Sequence, residues 1–272
     1  MTIGGSDRCS PRFLFWALLA LYLARIPRAV KGPRRAPLEE SRFGIRTGRA
    51  EEIQAADLPA LDAYCRDQNL ELLIARCDAA DTPAAQALEE AGGRLMDTIV
   101  YWERDYQKRP LECDSGDDRV RVAEASDERA VIEIARESFA GYYGHYHADK
   151  RLDRTATDAA YVDWAERSLR DPGVADAVLV AEVGGRILGF CTTQMETDDR
   201  CNWILAAVAA EGRRHGIYRA MGESSMAWAK ARGAKAFYSS TQIGNVAVQK
   251  VWARLGMEFA KAVHTFHWWR SR

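Results

Sequence analysis

The chain has 272 residues, 47% of them hydrophobic, enough to bury a sizeable core and too many for a disordered polymer. Its formal net charge of −1 excludes recognition of a nucleic acid through bulk electrostatics. Six cysteines, at positions 9, 65, 77, 113, 191 and 201, form no CxxC pair, and no histidine cluster completes a zinc ligand set. Scattered thiols in a reducing compartment are expected, and no metal.

The first recognisable feature is an apolar run, FLFWALLALYLA at residues 13–24, flanked by Arg8, Arg12, Arg25 and Arg28. It falls short of the ~20 residues that span a bilayer and fits a signal-peptide core or an interfacial helix better. Pro27, Pro33 and Pro37 then separate it from the rest of the chain. Residues 1–38 are read as an extension outside the fold, with a weak membrane contact through 13–24 left open.

From Gly44 the chain alternates between strand and helix patterns. Residues 57–68 have helical spacing through Leu58, Leu61 and Tyr64, and a turn at Asn69 leads into a buried strand at 70–75. Residues 82–91 read as a short helix stopped by Gly92-Gly93, and 95–106 as a strand. Together 39–107 make a truncated half-domain. The polar stretch 108–118, with Pro110 and Gly116, is the linker to a fuller half at 119–272.

That second half opens with a strand at 120–123 and an amphipathic helix at 127–139, with Ser126 as its cap. A loop, GYYGHYH at 141–147, and a helix at 158–169 follow. ADAVLVAEV and RILGFCTTQM flank Gly184-Gly185, the pattern of a hairpin with a tight two-residue turn. A strand at 202–209, a helix at 216–232, a strand at 237–240, a helix at 245–255 and a strand at 257–269 complete the chain. Glu196 and Asp198 read as solvated hairpin residues. DTPAAQALEEAGGRLMDTIVYW, from Asp81, lies without a gap on NVAVQKVWARLGMEFAKAVHTF, from Asn245, at a constant offset of 164 residues (245 less 81). Gly92 falls on Gly256, and the two segments are read as a degenerate repeat.

Only the second copy is preceded by an arginine-rich loop, so one cofactor site is expected, in the C-terminal half. The run VAAEGRRHGIYRAM, residues 208–221, places a strand end, two arginines, a histidine and a glycine ahead of an amphipathic helix. Free backbone N–H groups, the positive end of a helix and cationic side chains suit an anion such as a pyrophosphate.

These residues resemble the GNAT superfamily of N-acetyltransferases. The family signature [Q/R]-x-x-G-x-[G/A] reads here Arg213-Arg214-His215-Gly216-Ile217-Tyr218, with Tyr218 in place of the small residue. VLVAEVGGRILGF resembles the family's second and third strands. The helix opening with Asn245 resembles its C-terminal helix, whose Asn contacts the pantetheine arm. The resemblance covers about 119–269. It implies a mixed α/β GNAT fold preceded by a truncated GNAT-like half, acetyl-CoA as cosubstrate, and direct attack by a neutral amine in the cytoplasm. It further implies cofactor contacts at Ala207, Val208, Arg213, Arg214, His215, Gly216, Ile217, Tyr218 and Asn245. Amides of the strand around Ala207 and Val208 would be the oxyanion donors, although an ordinary internal strand has the same sequence. The family tyrosine that protonates the departing thiolate, seven residues after the Asn, is Trp252 here; an indole N–H donates but does not titrate usefully. TQIGNVAVQKVWARLG, with the truncated leading half and the aromatic last strand, resembles members that acetylate nucleotide-linked amino sugars.

The acceptor amine sets the strength of base required. Freeing a lysine-like amine of pKa ~10.4 at pH 7 costs about 4.6 kcal/mol, whereas an amine of pKa ~8 costs about 1.4 kcal/mol. No glutamate stands at Asn202, where some relatives carry their base, which favours a low-pKa small-molecule amine. His145 and His147 are the candidate bases, with surface loop residues as the alternative. Tyr142 and Tyr143, with Tyr146, would stack on a sugar or base, or pack a lid. His264 and His267 fall on opposite faces of the last strand and read as sheet histidines. Trp268 and Trp269 read as core or interface. Cys191 and Cys201 have no evident base partner and are set aside as nucleophiles. An amino acid, polyamine or protein amine as acceptor, a non-catalytic acyl-CoA-binding module and a homodimer remain open alternatives.

Overall fold

The computed structural model describes residues 32–111 and 116–270; the apolar run at 13–24 and its proposed membrane contact lie outside them. The first half runs β1 (Arg34–Arg35), α1 (Pro37–Phe43), β2 (Thr47–Ala50), α2 (Leu58–Asp67), β3 (Leu72–Asp78), α3 (Thr82–Glu90) and β4 (Arg94–Asp105). The second runs β5 (Val120–Val122), α4 (Glu128–Phe139), α5 (His145–Ala148), α6 (Arg154–Arg170), β6 (Ala177–Val183), β7 (Arg186–Thr197) and β8 (Arg200–Val208). It ends with α7 (Ile217–Ala231), β9 (Ala236–Gln242), α8 (Val246–Arg254) and β10 (Glu258–Trp269). The expected mixed α/β architecture is present.

Local chemistry accounts for most boundaries. Gly184 and Gly185 both take left-handed φ, 59° and 75°, as the two-residue hairpin turn demands. The Asp81 carboxylate accepts the Ala84 amide at 3.0 Å and starts α3; Asp153 accepts that of Ala156 at 2.8 Å and starts α6 four residues ahead of expectation. Ser126 is not the cap of α4. It sits in a 3-10 turn, and Glu124 and Asp127 cap the entry reciprocally, the Glu124 amide donating to Asp127 at 2.8 Å. The fold also begins before residue 38: Arg34 and Arg35 pair with Arg49 and Gly48, Ala36 is buried, and Pro37 opens a helix rather than a spacer.

The ten strands among the described residues form one sheet, in the order β1-β2-β3-β10-β4-β9-β8-β7-β6-β5. The halves have traded their last strands. β10 lies between β3 and β4 of the first half, and β4 lies between β10 and β9 of the second. The repeat read from sequence is the cause. β3, α3 and β4 map onto β9, α8 and β10 at the offset of 164 residues with identical bounds. The β4–β10 ladder is symmetric about the pair Ile99–Val263, themselves 164 apart, and its irregularities fall at equivalent residues, Met96 and Ala260. The segments 39–107 and 119–272 therefore follow the connectivity but are not separable bodies.

The two faces carry distinct cores. α2 and α3 cover β3 and the Phe266 and Trp268 side of β10. α7 and α8, the latter through Trp252, pack on Trp203 and Phe237, while α4 and α6 cover Phe190 and Leu205 on the opposite face. No helix among the described residues is long and apolar enough to cross a membrane. Because Phe266 on β10 is 1% exposed inside the core of the other half, Phe266→Ala is expected to cost about 3–5 kcal/mol of stability. Urea unfolding should show this in one transition shared by near- and far-UV dichroism; two separate transitions would contradict the common sheet.

Candidate active site

The site begins with a gap in the sheet. β8 and β9 run parallel but pair only from Arg200–Ala236 to Trp203–Ser239. Beyond Trp203 each continues alone, β8 to Val208 and β9 to Gln242. The cause is a one-residue bulge. β8 pairs with β7 through Trp203–Thr193 and then Leu205–Thr192, leaving Ile204 extra, and the Leu205 amide donates to the Thr192 hydroxyl at 3.2 Å. A bulge bends and twists its strand, turning β8 away from β9. The Ser239 hydroxyl donates to the Trp203 carbonyl at 2.6 Å and closes the apex.

The bulge also sets the phase of the amides. Leu205 and Ala209 donate towards β7, to Thr192 Oγ1 and to the Leu188 carbonyl. Alternation then sends the Ala207 amide to β7 as well, and those of Ala206 and Val208 into the gap. Of the two residues expected to present amides, Val208 faces the gap and Ala207 does not; the Ala206 amide does.

Past β8, Arg214 and Gly216 hold left-handed φ of 67° and 75°. For an arginine that conformation costs roughly 1–3 kcal/mol. Gly216 ends the loop with no side-chain cap, and the first helical amide with a partner is Ala220, donating to the Gly216 carbonyl at 2.9 Å. The preceding amides of α7 stay free for an anion. Arg119 donates to the His215 carbonyl at 3.2 Å and pins the loop from β5. Arg213 lines the cavity, and neither it nor Arg214 has an ion-pair partner among the described residues. Ile217 contributes backbone only, since its side chain is buried in the core. Tyr218 does not crowd the loop. Its ring turns inward to 5.0 Å from Trp203 and lines the cavity, where burial pushes its phenol well above the usual range. Trp252 lies beside it, its indole nitrogen buried and close to the Tyr218 hydroxyl.

From this gap a cavity of about 760 Å³ extends between α8 and α5–α6 to α1 and β2 of the first half. Asn245 lines it, its amide donating to Thr241 Oγ1 at 3.0 Å; the Tyr142 hydroxyl donates to Gln242 Oε1 at 2.5 Å. Tyr143 does not line it. The ring is 53% exposed and stacks on the outside of Tyr142, at 5.2 Å. Tyr146 is spent on structure, its hydroxyl donating to Glu39 at 2.7 Å and tying α5 to α1.

The two candidate bases separate. His147 Nε2 donates to Asp158 at 2.8 Å, outside the cavity lining. His145 lines the cavity, and its Nδ1 lies 2.9 Å from Nε2 of His267. His267 Nδ1 in turn donates to Asp149 Oδ2 at 2.7 Å, as does the Trp269 indole at 2.7 Å. Burial, with His267, Arg76 and Arg49 nearby, holds the His145 imidazole well below its usual pKa. Burial opposes the charged form of Asp149, but the hydrogen bonds from His267 and Trp269 outweigh it and hold the carboxyl at about 2. Asp149 went unnoticed in the sequence and His267 read as a sheet histidine, because they meet His145 only through the traded strand. Burial pushes the Cys191 thiol up to about 11 and Cys201 to about 12, so neither is a nucleophile near neutrality. Among the described residues no group of His, Cys, Asp and Glu is placed to hold a metal ion.

A sheet opened between two parallel strands, with a cationic loop and a helix start at its mouth, offers a seat for an anion such as a diphosphate and free amides for a developing oxyanion. Residues 128–257 match the acetyltransferase (GNAT) family, and the C-terminal part of the chain is accordingly a GNAT acetyltransferase domain. A GCN5-related N-acetyltransferase from Kribbella flavida aligns with 96% of this chain and 96% of its own at 16% identity and TM-score 0.57. One from Sphaerobacter thermophilus aligns at 15% identity and TM-score 0.56 over 81% and 72%. A tandem GNAT protein from the clavulanic acid biosynthesis pathway aligns at 13% identity and TM-score 0.54 over 82% and 75%. At such identities the likeness is one of fold. No curated protein matches the sequence.

The buried imidazole has a measurable consequence. His145 stays neutral in the folded protein while an unfolded imidazole takes a proton below pH ~6.5, so stability should fall as pH drops through that value. The slope is about 1.4 kcal/mol per pH unit for one proton. Denaturant midpoints between pH 7 and pH 5 should show it in the wild type and less of it in His145→Asn.

Proposed function

We propose that the protein transfers an acetyl group from acetyl-CoA to the amine of a small molecule, by preference a nucleotide-linked amino sugar. The observation that carries the transfer is the gap after Trp203 and Ser239, flanked by the Ala206 and Val208 amides and the Gly216 loop. Acetyl-CoA, when bound, supplies the activated acetyl group. The free amides at the start of α7 and Arg213 would hold its diphosphate, Asn245 would meet the pantetheine arm, and the Ala206 and Val208 amides would serve its carbonyl. Trp252 and Tyr218 offer an indole N–H and a hydroxyl to the sulfur, in place of the family tyrosine. His145 is the group placed to take the amine proton. The cosubstrate makes the cytoplasm the natural compartment.

The acceptor assignment rests on two supports. The pattern around Asn245 resembles TDP-fucosamine acetyltransferase. The cavity lining holds seven arginines, at positions 34, 35, 42, 49, 76, 167 and 213, against one carboxylate, Glu39. Several are neutralised, Arg49 by Glu39 and Arg42 by Asp163, yet Arg42 Nε is buried without a partner and Arg34 forms no ion pair among the described residues. Such a lining attracts a diphosphate or carboxylate and repels a polyamine.

Calorimetry with CoA should show Arg213→Ala weakening binding by about 1.5–3 kcal/mol, the worth of a charge-assisted contact. In an acceptor panel, nucleotide-linked amino sugars should outrun diamines, and Arg34→Ala should raise KM for the anionic acceptor with CoA affinity unchanged. A preference for diamines would overturn the acceptor assignment.

A further inference from the structure

We infer that Asp149, His267 and His145 form a buried proton relay that ends on Nε2 of His145 in the acceptor cavity, with His145 as the base and the other two as positioning residues. The inference deepens the acetyltransfer reading and rests on it. It begins with a fixed point. Asp149 Oδ1 accepts the Arg151 amide at 3.0 Å, and Oδ2 accepts both His267 Nδ1 and the Trp269 indole. An ionised carboxylate only accepts, so His267 carries its proton on Nδ1. In a neutral His267 the Nε2 then presents a lone pair to Nδ1 of His145, 2.9 Å away, which donates. His145 is left with an unprotonated Nε2. That atom has no protein hydrogen bond, is not sealed off, and belongs to a residue lining the cavity.

The arrangement answers an energetic difficulty. A proton held on His145 alone would place a cation in a buried position near Arg49 and Arg76. In the relay the charge moves on. As the amine nitrogen forms its bond to the acetyl carbon, the carbon–sulfur bond breaks and its electron pair leaves with sulfur. The amine proton passes to His145 Nε2, and the Nδ1 proton of His145 passes to His267 Nε2. The positive charge comes to rest on His267, 2.7 Å from the Asp149 carboxylate, and returns as a proton to the sulfur or to solvent. One proton leaves the amine, and one reaches the thiol product or water. His267 stands on β10, completely buried, where the strand trade has carried it to His145 of α5. The strand exchange thus supplies the second-half site with its proton carrier.

Imidazole nitrogen NMR on the free, histidine-labelled wild-type protein tests the relay without turnover. The expected result is a neutral His145 in the less common Nδ1–H form and a His267 Nδ1–H proton shifted far downfield. An Nε2–H form at His145 would overturn the proposal. In steady-state assays His267→Asn and His145→Gln should each lower kcat by about 10²–10⁴-fold, with the CoA dissociation constant unchanged. Unaltered turnover in a folded His267→Asn protein would equally overturn it. Failure of the wild type to bind CoA would instead sink the acetyltransfer reading, and would leave the tautomer result standing.

Discussion

One extra residue in one strand governs the site. Ile204 interrupts the β7–β8 ladder at the position where β8 stops pairing with β9. Side chains register the same event: Trp203 packs towards α7, Ile204 and Leu205 both pack towards α4 and α6, and alternation resumes at Ala206. Without the bulge the two strands would continue as an ordinary parallel pair and bury the Ala206 and Val208 amides against β9. With it, polar edges that cost roughly 1–3 kcal/mol each when left buried and unpaired are turned towards a cavity that a ligand can fill. The opening survives because β7 holds β8 from one side, and β4 holds β9 from Ile99 to Asp105 on the other.

The first half has the same strand–helix–strand unit but no such opening. β2 pairs with β3 from Thr47–Leu72 to Ala50–Ala75, and the chain returns at once, the Ile53 amide donating to the Arg76 carbonyl at 3.0 Å. A short turn leads into α2 in place of an arginine loop. What this half contributes is structural and spatial. β4 braces the edge of the gap, β3 and β4 enclose the traded β10, and α1 with Arg42, Arg49 and Arg76 forms the far wall of the cavity. A half that has no such opening of its own thereby shapes the far end of the cavity.

Much of this was legible from residues because it is local. The hairpin at Gly184-Gly185, the glycine-stopped helices and the 164-residue repeat all depend on neighbours in sequence, and their boundaries fall within a few residues of expectation. The cationic loop before α7 was equally visible. Three kinds of feature were not. Strand order was hidden, because pairing β10 with β3 joins residues far apart in the chain with no short-range signal. The amide phase at Ala207 was misread because a bulge breaks the period of two, and nothing about an isoleucine announces one. His267 looked like a sheet histidine because Asp149 and His145 reach it only after the strands have been exchanged. Pro37 misled in another way: the residue that separates segments also sits well at a helix start.

The account turns on whether the gap beside β8 receives the cofactor. Hydrogen–deuterium exchange with and without CoA reads this directly, amide by amide. Protection is expected at 204–208 and at 213–219, with the β2–β3 strands unchanged. Exchange that CoA leaves untouched in both segments, or protection confined to the first half, would contradict it.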